Sequence, residues 1–283
     1  MASSDREHPS EHQPHASGGV STRLSAAEIH DNVSEPAREE MERSALALAA
    51  SAFQSGLAIA FSFLAGAFAA SLVAPLHAHA AAAAAYPLGF ILVILARSEL
   101  FTENTLRPVI PLLEERSARA LWRTLRLWGL LLAGNLAGAA LIGWVLARSA
   151  VVDAPVREQL DVIAATTTSG GFGLVFYRAI FAGWLIALLT WMLAATHATG
   201  AQIALIWLCT APIAALHFRH SIAGAVEAFY RVAGGSAPLG EMLGGFVVPA
   251  VLGNTVGGVV LVALLSYAQV AADEPSRDER PIA

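Results

Sequence analysis

Polar side chains interrupt two stretches of the chain that are otherwise apolar. The first interruption includes Arg97, Glu99, Thr102, Glu103 and Asn104. The second contains four: His217, Arg219, His220 and Ser221. A histidine in such surroundings can give a hydrogen bond or a proton to a passing anion, although it can also be a packed core residue. Spacing alone does not separate His217 from His220 as the residue that would do this chemistry.

The charges of the first interruption have more than one interpretation. Arg97 and Glu99 either neutralise each other or pair with groups across the protein, because an unpaired charge in apolar surroundings is costly. From Glu103 onward, the segment also fits an ordinary loop outside the apolar region. The residues just before Glu103 fit that interpretation less well, because two of them are apolar.

The residue types present exclude most enzyme chemistry. Every basic residue is an arginine, which removes lysine Schiff bases and lysine-based phosphate loops. Cys209 is the single cysteine, so neither a disulfide within the chain nor a cysteine-based zinc site can form. We find no nucleophile beside a base and no metal-ligand spacing, and therefore expect no catalysis, no metal and no cofactor. The net charge of -5 argues against a nucleic-acid partner.

The composition indicates an integral membrane protein. Of its 283 residues, 56% are hydrophobic and 14% are charged, whereas soluble domains carry about 25% charged residues. A helix needs about 20 apolar residues to span a bilayer. Six regions meet this requirement: about 44–73, 78–110, 121–146, 172–195, 203–232 and 239–270. The interruptions lie in the second and fifth regions, so we predict an all-α membrane protein with six transmembrane helices, of which these two are broken.

Four parts of the chain differ in character. Residues 1–24 are polar and are predicted to be a disordered cytoplasmic tail. Residues 25–43 have the pattern of an amphipathic cytoplasmic helix, broken near Pro36, whose position suggests a role at the cytoplasmic mouth. Residues 44–270 form the predicted transmembrane channel domain, and residues 271–283 form a short charged cytoplasmic tail.

The arginines indicate how the chain is oriented in the bilayer. Five of them follow the first interruption: Arg107, Arg116, Arg119, Arg123 and Arg126. The segment 74–87, after the first region, contains none. Because arginine-rich loops stay in the cytoplasm and six spans return the chain to its starting side, we expect a multi-pass protein of the plasma (inner) membrane with both termini cytoplasmic. The segment 148–171 is then expected to face outward.

The motif GNxxG occurs once in each half of the chain. Gly134–Gly138 lies in the third apolar region and Gly253–Gly257 in the sixth. By itself, the recurrence could be chance in a glycine-rich protein, each copy helping helices to pack. Because the middle region of each half is also interrupted, the pattern predicts an inverted 3+3 repeat. Broken middle helices of inverted repeats place a permeation site near the bilayer midplane.

Three strings, taken in this order, resemble those of the formate/nitrite transporter family. Glu99–Thr102 is similar to the family's ELFT string, and Phe218–Ala223 to the FEHS(I/V)AN string of the loop that breaks the fifth helix. Gly253–Gly258 is similar to the GNxxGG string of the sixth helix. The resemblance covers about residues 40–270. It implies an aquaporin-like fold, a homopentamer with one pore per subunit, and passage of small monovalent anions such as formate, nitrite or hydrosulfide.

The resemblance also implies roles for particular residues of a solute pathway. His220 matches the central pore histidine, and Thr102 matches the threonine that approaches it. The other matching residues are Leu100 and Phe101 at the cytoplasmic constriction, Phe90 and Ile213 around the histidine, and Asn254 as the polar residue of the sixth helix.

The chain departs from the family pattern at several polar positions. Arg219 stands where the family has the glutamate of FEHS, and Gln202 where it has a lysine in the fifth helix. Gly183 and Gly224 each stand where the family has an asparagine. The missing lysine makes the site less attractive to an anion, whereas Arg219 makes it more attractive. The chain therefore resembles a divergent branch, whose selectivity does not follow from the resemblance.

The expected function is proton-linked transport of a small monovalent anion or its weak acid across the lipid bilayer. The anion enters a vestibule whose positive field comes from Arg219 and Arg97, and it takes up a proton at or near His220. Apolar rings exclude the bare anion, while Thr102 and Asn254 supply hydrogen bonds. Two other classes stay open: a passive pore for neutral solutes, and a non-conducting membrane scaffold or sensor, which the missing lysine favours slightly.

Overall fold

The computed structural model describes residues 23–273, which contain helices and no strand. The predicted tails fall mostly outside this range: residues 1–22 and 274–283 are not described. Residues 271–273 are helical, so the last helix extends slightly beyond the predicted end of the membrane domain.

The first half of the described residues forms seven α-helices and one short 3-10 helix, Glu103–Thr105. The α-helices are α1 (Ala26–Glu42), α2 (Ala45–Ala58), α3 (Ala60–Ser71), α4 (Pro75–Ala85), α5 (Pro87–Leu95), α6 (Val109–Glu115) and α7 (Ala118–Arg148). Helices α2 and α3 follow each other as one apolar span, as do α4 and α5.

The second half forms seven more helices within the described range. They are α8 (Ala154–Thr167), α9 (Phe172–Leu193), α10 (Thr199–Ala215), α11 (Ser221–Gly234), α12 (Leu239–Met242), α13 (Val248–Gly258) and α14 (Leu265–Asp273). Two π-helical stretches, Leu243–Val247 and Val259–Leu264, join the last three into one long apolar helix.

Five of the described helices are long and apolar enough to cross a bilayer. They cover Ala45–Ser71, Pro75–Leu95, Ala118–Arg148, Phe172–Leu193 and Leu239–Ala272. Helix α10 is apolar but has only 17 residues. The predicted number of six full spans therefore stays a prediction, while the all-α architecture is confirmed.

Helix α1 begins at a capping box and continues through its proline. The Ser25 hydroxyl accepts from the Glu28 N–H at 3.3 Å, and the Glu28 carboxylate accepts from the Ser25 N–H at 2.7 Å. The expected break near Pro36 is absent, since α1 is a single helix of 17 residues. Pro36 has no N–H to donate to the Asn32 carbonyl, four residues earlier in the helix. Both residues are exposed, so water can bind that carbonyl instead.

Helix α8 was not predicted from the sequence, which indicated only that the segment 148–171 faces outward. Asp153 stands at its N-cap position and Pro155 in its first turn, which is a common helix start. Leu160 and Ala164 are fully buried, and α8 packs against α3 and α11. This helix consequently forms one wall of a cavity within the bundle.

Candidate solute pathway

The two sequence interruptions end their helices in the same way. Helix α5 ends at Leu95 and α10 ends at Ala215. Arg97 and His217 both follow in the left-handed region with φ of 54°. The N–H of the next residue then donates to the carbonyl five residues earlier, at 3.1 Å in the first half and 2.9 Å in the second. This pattern is a helix C-terminal cap, and it turns the chain away from the helix axis at equivalent places.

An asparagine braces the first interrupted segment. The Asn135 side-chain oxygen accepts from the Phe101 N–H at 2.8 Å. Its amide nitrogen donates to the Glu99 carbonyl at 2.9 Å and to the Ala52 carbonyl at 2.8 Å. Asn135 is fully buried, so one side chain on α7 satisfies two backbone groups that the broken helix leaves unpaired and also binds a carbonyl of α2.

Asn254 repeats this arrangement in the second half. Its oxygen accepts from the Ser221 N–H at 2.7 Å, and its nitrogen donates to the Arg219 carbonyl at 2.8 Å and the Ala179 carbonyl at 2.7 Å. The GNxxG recurrence is therefore a structural repeat rather than chance. Because backbone groups occupy both ends of the amide, Asn254 positions the loop; the expected hydrogen bond to a solute is not what this geometry supports.

Glycines allow the two asparagine helices to approach their neighbours. A Cβ added to Gly56 would lie 3.0 Å from the Asn135 Cα, and one added to Gly183 would lie 2.5 Å from the Asn254 Cα. A Cβ at Gly56 would also overlap the Asn135 carbonyl oxygen, so neither glycine can carry a side chain without moving the backbone. Gly183, which departs from the family's asparagine, thus has a packing reason at this site.

His220 lies at the meeting point of the two interrupted segments. It is 2% exposed, and its Nε2 lies 2.7 Å from the Thr102 Oγ1. It is also the N-cap of α11, where its Nδ1 accepts from the Ala223 N–H at 3.1 Å. An Nδ1 that accepts carries no proton, so in the neutral imidazole the proton is on Nε2, which then donates to Thr102. His217, by contrast, stacks on His79 with ring centroids 4.4 Å apart.

Apolar side chains surround this pair of residues. The Phe90 ring meets the His220 ring edge-on, with centroids 4.9 Å apart. Leu100 and Phe101, on the first interrupted segment, are 0% and 3% exposed. Ile213, at the end of α10, is buried as well. A polar contact enclosed by apolar groups is the arrangement that the pathway prediction requires.

Two cavities approach this enclosed region from opposite ends of α10. The Arg219 cavity has a volume of about 340 Å³ and is lined by α3, α4, α8, the end of α10 and His220. The α1-side cavity has a volume of about 900 Å³ and is lined by α1, the end of α5 and the start of α10. Because α10 has 17 residues, its ends lie about 25 Å apart.

The predicted electrostatic residues are divided between these cavities. Arg219 lines the first, whereas Arg97, Glu99 and Gln202 line the second. The expectation that Arg219 and Arg97 share one vestibule is therefore wrong, because α10 separates them. The Gln202 amide nitrogen donates to the Thr196 carbonyl at 3.0 Å.

Glu99 pairs across the bundle rather than with Arg97. Its Oε1 lies 2.5 Å from an Arg43 guanidinium nitrogen, and its Oε2 accepts from the Asn104 amide at 3.3 Å. Arg97 is exposed. Arg97 and Glu99 therefore do not neutralise each other; Glu99 instead pairs with Arg43, at the end of α1.

A buried ionic group that sequence reasoning missed joins α1 to the first interruption. The Glu40 Oε2 lies 3.6 Å from an Arg107 nitrogen, and Glu99 and Glu103 are nearby. Burial, assisted by a hydrogen bond with Glu99, raises the pKa of Glu40 from 4.5 to about 9. The one feature of the sequence that could have indicated this group is that Glu40 lies on the same face of α1 as Val33 and Ala37, both of which are buried.

These features define a class of protein: a helical membrane protein with cavities on two sides of an enclosed polar contact, as expected of a channel or transporter. The chain belongs to the formate/nitrite transporter family, whose sequence profile matches residues 27–268.

Several relatives and solved structures are similar to the chain. It is 34% identical over 249 residues to the inner membrane protein YfdC of Escherichia coli, covering 88% of this chain and 80% of that protein. It is 28% identical over 209 residues to a probable formate transporter of Methanothermobacter thermautotrophicus, covering 65% and 72%. It is 28% identical over 211 residues to the nitrite transporter NirC of E. coli, covering 69% and 74%.

The structural matches confirm the predicted aquaporin-like fold. An FNT family ion channel superposes with a TM-score of 0.76 at 21% identity, covering 87% of this chain and 99% of that one. A pentameric formate channel with formate bound superposes with a TM-score of 0.67 at 19% identity, covering 80% and 98%.

Proposed function

We propose that this protein passes a small monovalent anion, or its conjugate weak acid, through the bilayer, and that passage is linked to protons at His220. The observation that carries the proposal is the 2.7 Å contact of the His220 Nε2 with Thr102, enclosed by apolar side chains between two cavities. Relatives named as formate and nitrite transporters support the solute class.

Because apolar side chains enclose the pathway, the charge state of the solute determines whether it can cross. Moving a bare anion into a narrow dry passage costs many kcal/mol, whereas a neutral weak acid of the same size pays far less. The anion is therefore held near His220 by the Nε2–H hydrogen bond until it takes up a proton from water in the cavity. It then crosses the enclosed region as the neutral acid and loses the proton in the opposite cavity.

The N-cap bond of His220 gives its two nitrogens different tasks. Protonation of Nδ1 would break the Ala223 N–H bond and leave the start of α11 uncapped. We infer that the imidazole acts through Nε2 alone, as a hydrogen-bond donor to Thr102 or to the solute. The solute would replace the Thr102 hydroxyl as the acceptor of the Nε2–H, and the hydroxyl would later replace the solute. The Nε2–H would then keep an acceptor throughout passage.

The proposal is tested by flux into proteoliposomes. We expect uptake of formate, nitrite, acetate or hydrosulfide that increases as the outside pH falls, and the His220→Phe variant is expected to reduce it to the background of empty liposomes. His77→Phe, at an exposed position, is the matched control and is expected to behave as wild type. Unchanged pH-dependent flux in His220→Phe would remove His220 from the mechanism.

The same panel separates the other functional classes. Glycerol uptake without pH dependence would indicate a passive pore for neutral solutes. Absence of flux for every solute, in protein that is folded by circular dichroism, would indicate a scaffold or sensor.

We also propose that the protein assembles as a homopentamer in the inner membrane with both termini in the cytoplasm. The pentameric formate channel of similar fold supports the assembly, and the inner membrane protein YfdC supports the location. Native mass spectrometry of the detergent-purified chain tests the subunit number. Reporter fusions at each terminus test the orientation.

A further inference from the structure

Two oppositely charged residues that line the Arg219 cavity attract each other, yet each has a buried side-chain atom without a hydrogen-bond partner. Arg219 is 2% exposed, and its Nε has no hydrogen-bond partner. Glu227, on α11, is 3% exposed, and its Oε2 has no partner either. Both residues line the same cavity. One unmatched atom is a donor and the other an acceptor, and buried polar atoms normally have partners.

The surrounding backbone holds Arg219 in place. Its Nη2 donates to the Thr166 carbonyl of α8 at 3.1 Å, and its own carbonyl accepts from Asn254 at 2.8 Å. Its N–H donates to the Arg178 carbonyl at 3.4 Å. The guanidinium is thus held at Nη2 and the backbone of Arg219 at two further points, while Nε has no hydrogen-bond partner. A preorganised group of this kind binds a ligand without first being ordered.

The cavity is larger than a formate or nitrite ion requires. Its 340 Å³ is roughly the volume that ten water molecules occupy in the liquid. Formate and nitrite have only acceptor atoms, so either ion can satisfy Arg219 but not Glu227. A solute with both an anionic group and an N–H or O–H can satisfy both residues. Sites that offer a buried partner to such a donor discriminate against analogues that lack it.

We propose that Arg219 and Glu227 form a two-point recognition site for a small monocarboxylate that carries a hydroxyl or amino group next to its carboxylate. The carboxylate binds the Arg219 guanidinium, and the neighbouring O–H or N–H donates to Glu227. This inference rests on the proposed function, because it names the solute class that the pathway would receive at this cavity.

The test measures binding separately from flux. Ligand-observed NMR titrations of the purified full chain in detergent compare glycolate, glycine and acetate. We expect glycolate or glycine to bind about tenfold more tightly than acetate, which is the effect of one hydrogen bond to a charged group. Tighter binding of glycine than of glycolate would identify the donor as an ammonium group. Equal binding of all three, or no saturable binding of any, overturns the inference.

Variants assign the effect to the two residues. Glu227→Leu is expected to abolish the preference over acetate while acetate binding stays within about threefold of wild type, since only the acceptor is lost. Glu227→Gln keeps the shape and one acceptor, and it serves if the leucine variant does not fold. Arg219→Gln is expected to weaken all three ligands. Arg231→Gln is the matched control, because Arg231 lies on α11 with Glu227 but does not line the cavity. A preference that survives Glu227→Leu contradicts the inference.

Flux measurements keep this inference distinct from the proposed function. Formate flux with no binding preference for glycolate or glycine would contradict only the two-point site. A clear preference in detergent, with no flux of any solute into proteoliposomes, would contradict only the transport proposal.

Discussion

At the residue scale, the central observation is that His220 is committed at both nitrogens. Its Nδ1 accepts from Ala223 and its Nε2 contacts Thr102, so the environment selects one tautomer. The sequence singled out both residues; spacing alone did not separate His220 from His217, whereas the family resemblance pointed to His220. Two loops from different halves of the chain decide this, because they bring Thr102 to one histidine while His79 stacks on the other.

The contact with Thr102 leads to a prediction about its hydroxyl. Thr102→Val keeps the side-chain shape but leaves the His220 Nε2–H without an acceptor, which costs about 1–3 kcal/mol. If the solute and the Thr102 hydroxyl replace each other as acceptors of this N–H, a solute that leaves it in Thr102→Val has no acceptor to take its place, so formate uptake is expected to fall about tenfold. Thr102→Ser restores the hydroxyl and is expected to recover most of the flux. Equal flux in the valine and serine variants would show that the hydroxyl takes no part.

At the element scale, α1 is attached to the membrane domain by ionic contacts rather than by apolar packing alone. Arg38 forms ion pairs with Glu114 and Glu115 of α6, and Arg43 forms one with Glu99, while the Glu40 carboxyl lies beside Arg107. The sequence predicted the helix and its amphipathic face. It did not predict these partners, because they lie more than 50 residues away along the chain.

The raised pKa of Glu40 makes docking of α1 dependent on pH. Glu99, Glu103 and Arg107 face this carboxyl, and burial raises its pKa from 4.5 to about 9. Docked α1 keeps the proton that undocked α1 releases above about 4.5. The contribution to docking is complete below pH 4.5 and is lost as the pH rises through about 9.

Fluorescence anisotropy can measure this dependence. A label on Asp31→Cys in a Cys209→Ser background is expected to report a more mobile α1 at pH 9 than at pH 6. Glu40→Gln cannot titrate and is expected to give a flat pH profile. A wild-type profile that is already flat would contradict the role assigned to Glu40.

At the scale of the whole molecule, each half contains the same arrangement of a buried asparagine that binds the backbone of an interrupted segment. Asn135 and Asn254 each bind two backbone groups of an interrupted segment and one carbonyl of a neighbouring helix, and Gly56 and Gly183 each admit the asparagine's helix. This arrangement satisfies backbone groups that have no water partner at membrane depth, which is the condition for irregular backbone to exist there.

The repeat predicts matched losses of stability. Asn135→Leu and Asn254→Leu each leave two buried backbone groups of an interrupted segment unpaired, so each is expected to lower the free energy of unfolding by roughly 2–5 kcal/mol. Gln202→Leu removes a single half-buried bond and is expected to cost less than about 1 kcal/mol. Thermal unfolding in detergent measures all three. A loss in only one of the two asparagine variants would show that the halves are not mechanically equivalent.

The sequence by itself determined the apolar helices, though not α8, together with the two interruptions and the repeated GNxxG motif, because hydropathy, glycine and proline act locally along the chain. It also indicated the histidine, the threonine and the arginine that departs from the family pattern. Only the tertiary structure decided that Arg97 and Arg219 face different cavities, that Asn254 holds backbone, and that Glu227 shares a cavity with Arg219. Each of these facts depends on which helix ends meet in space, and that is set by packing between segments far apart in the sequence.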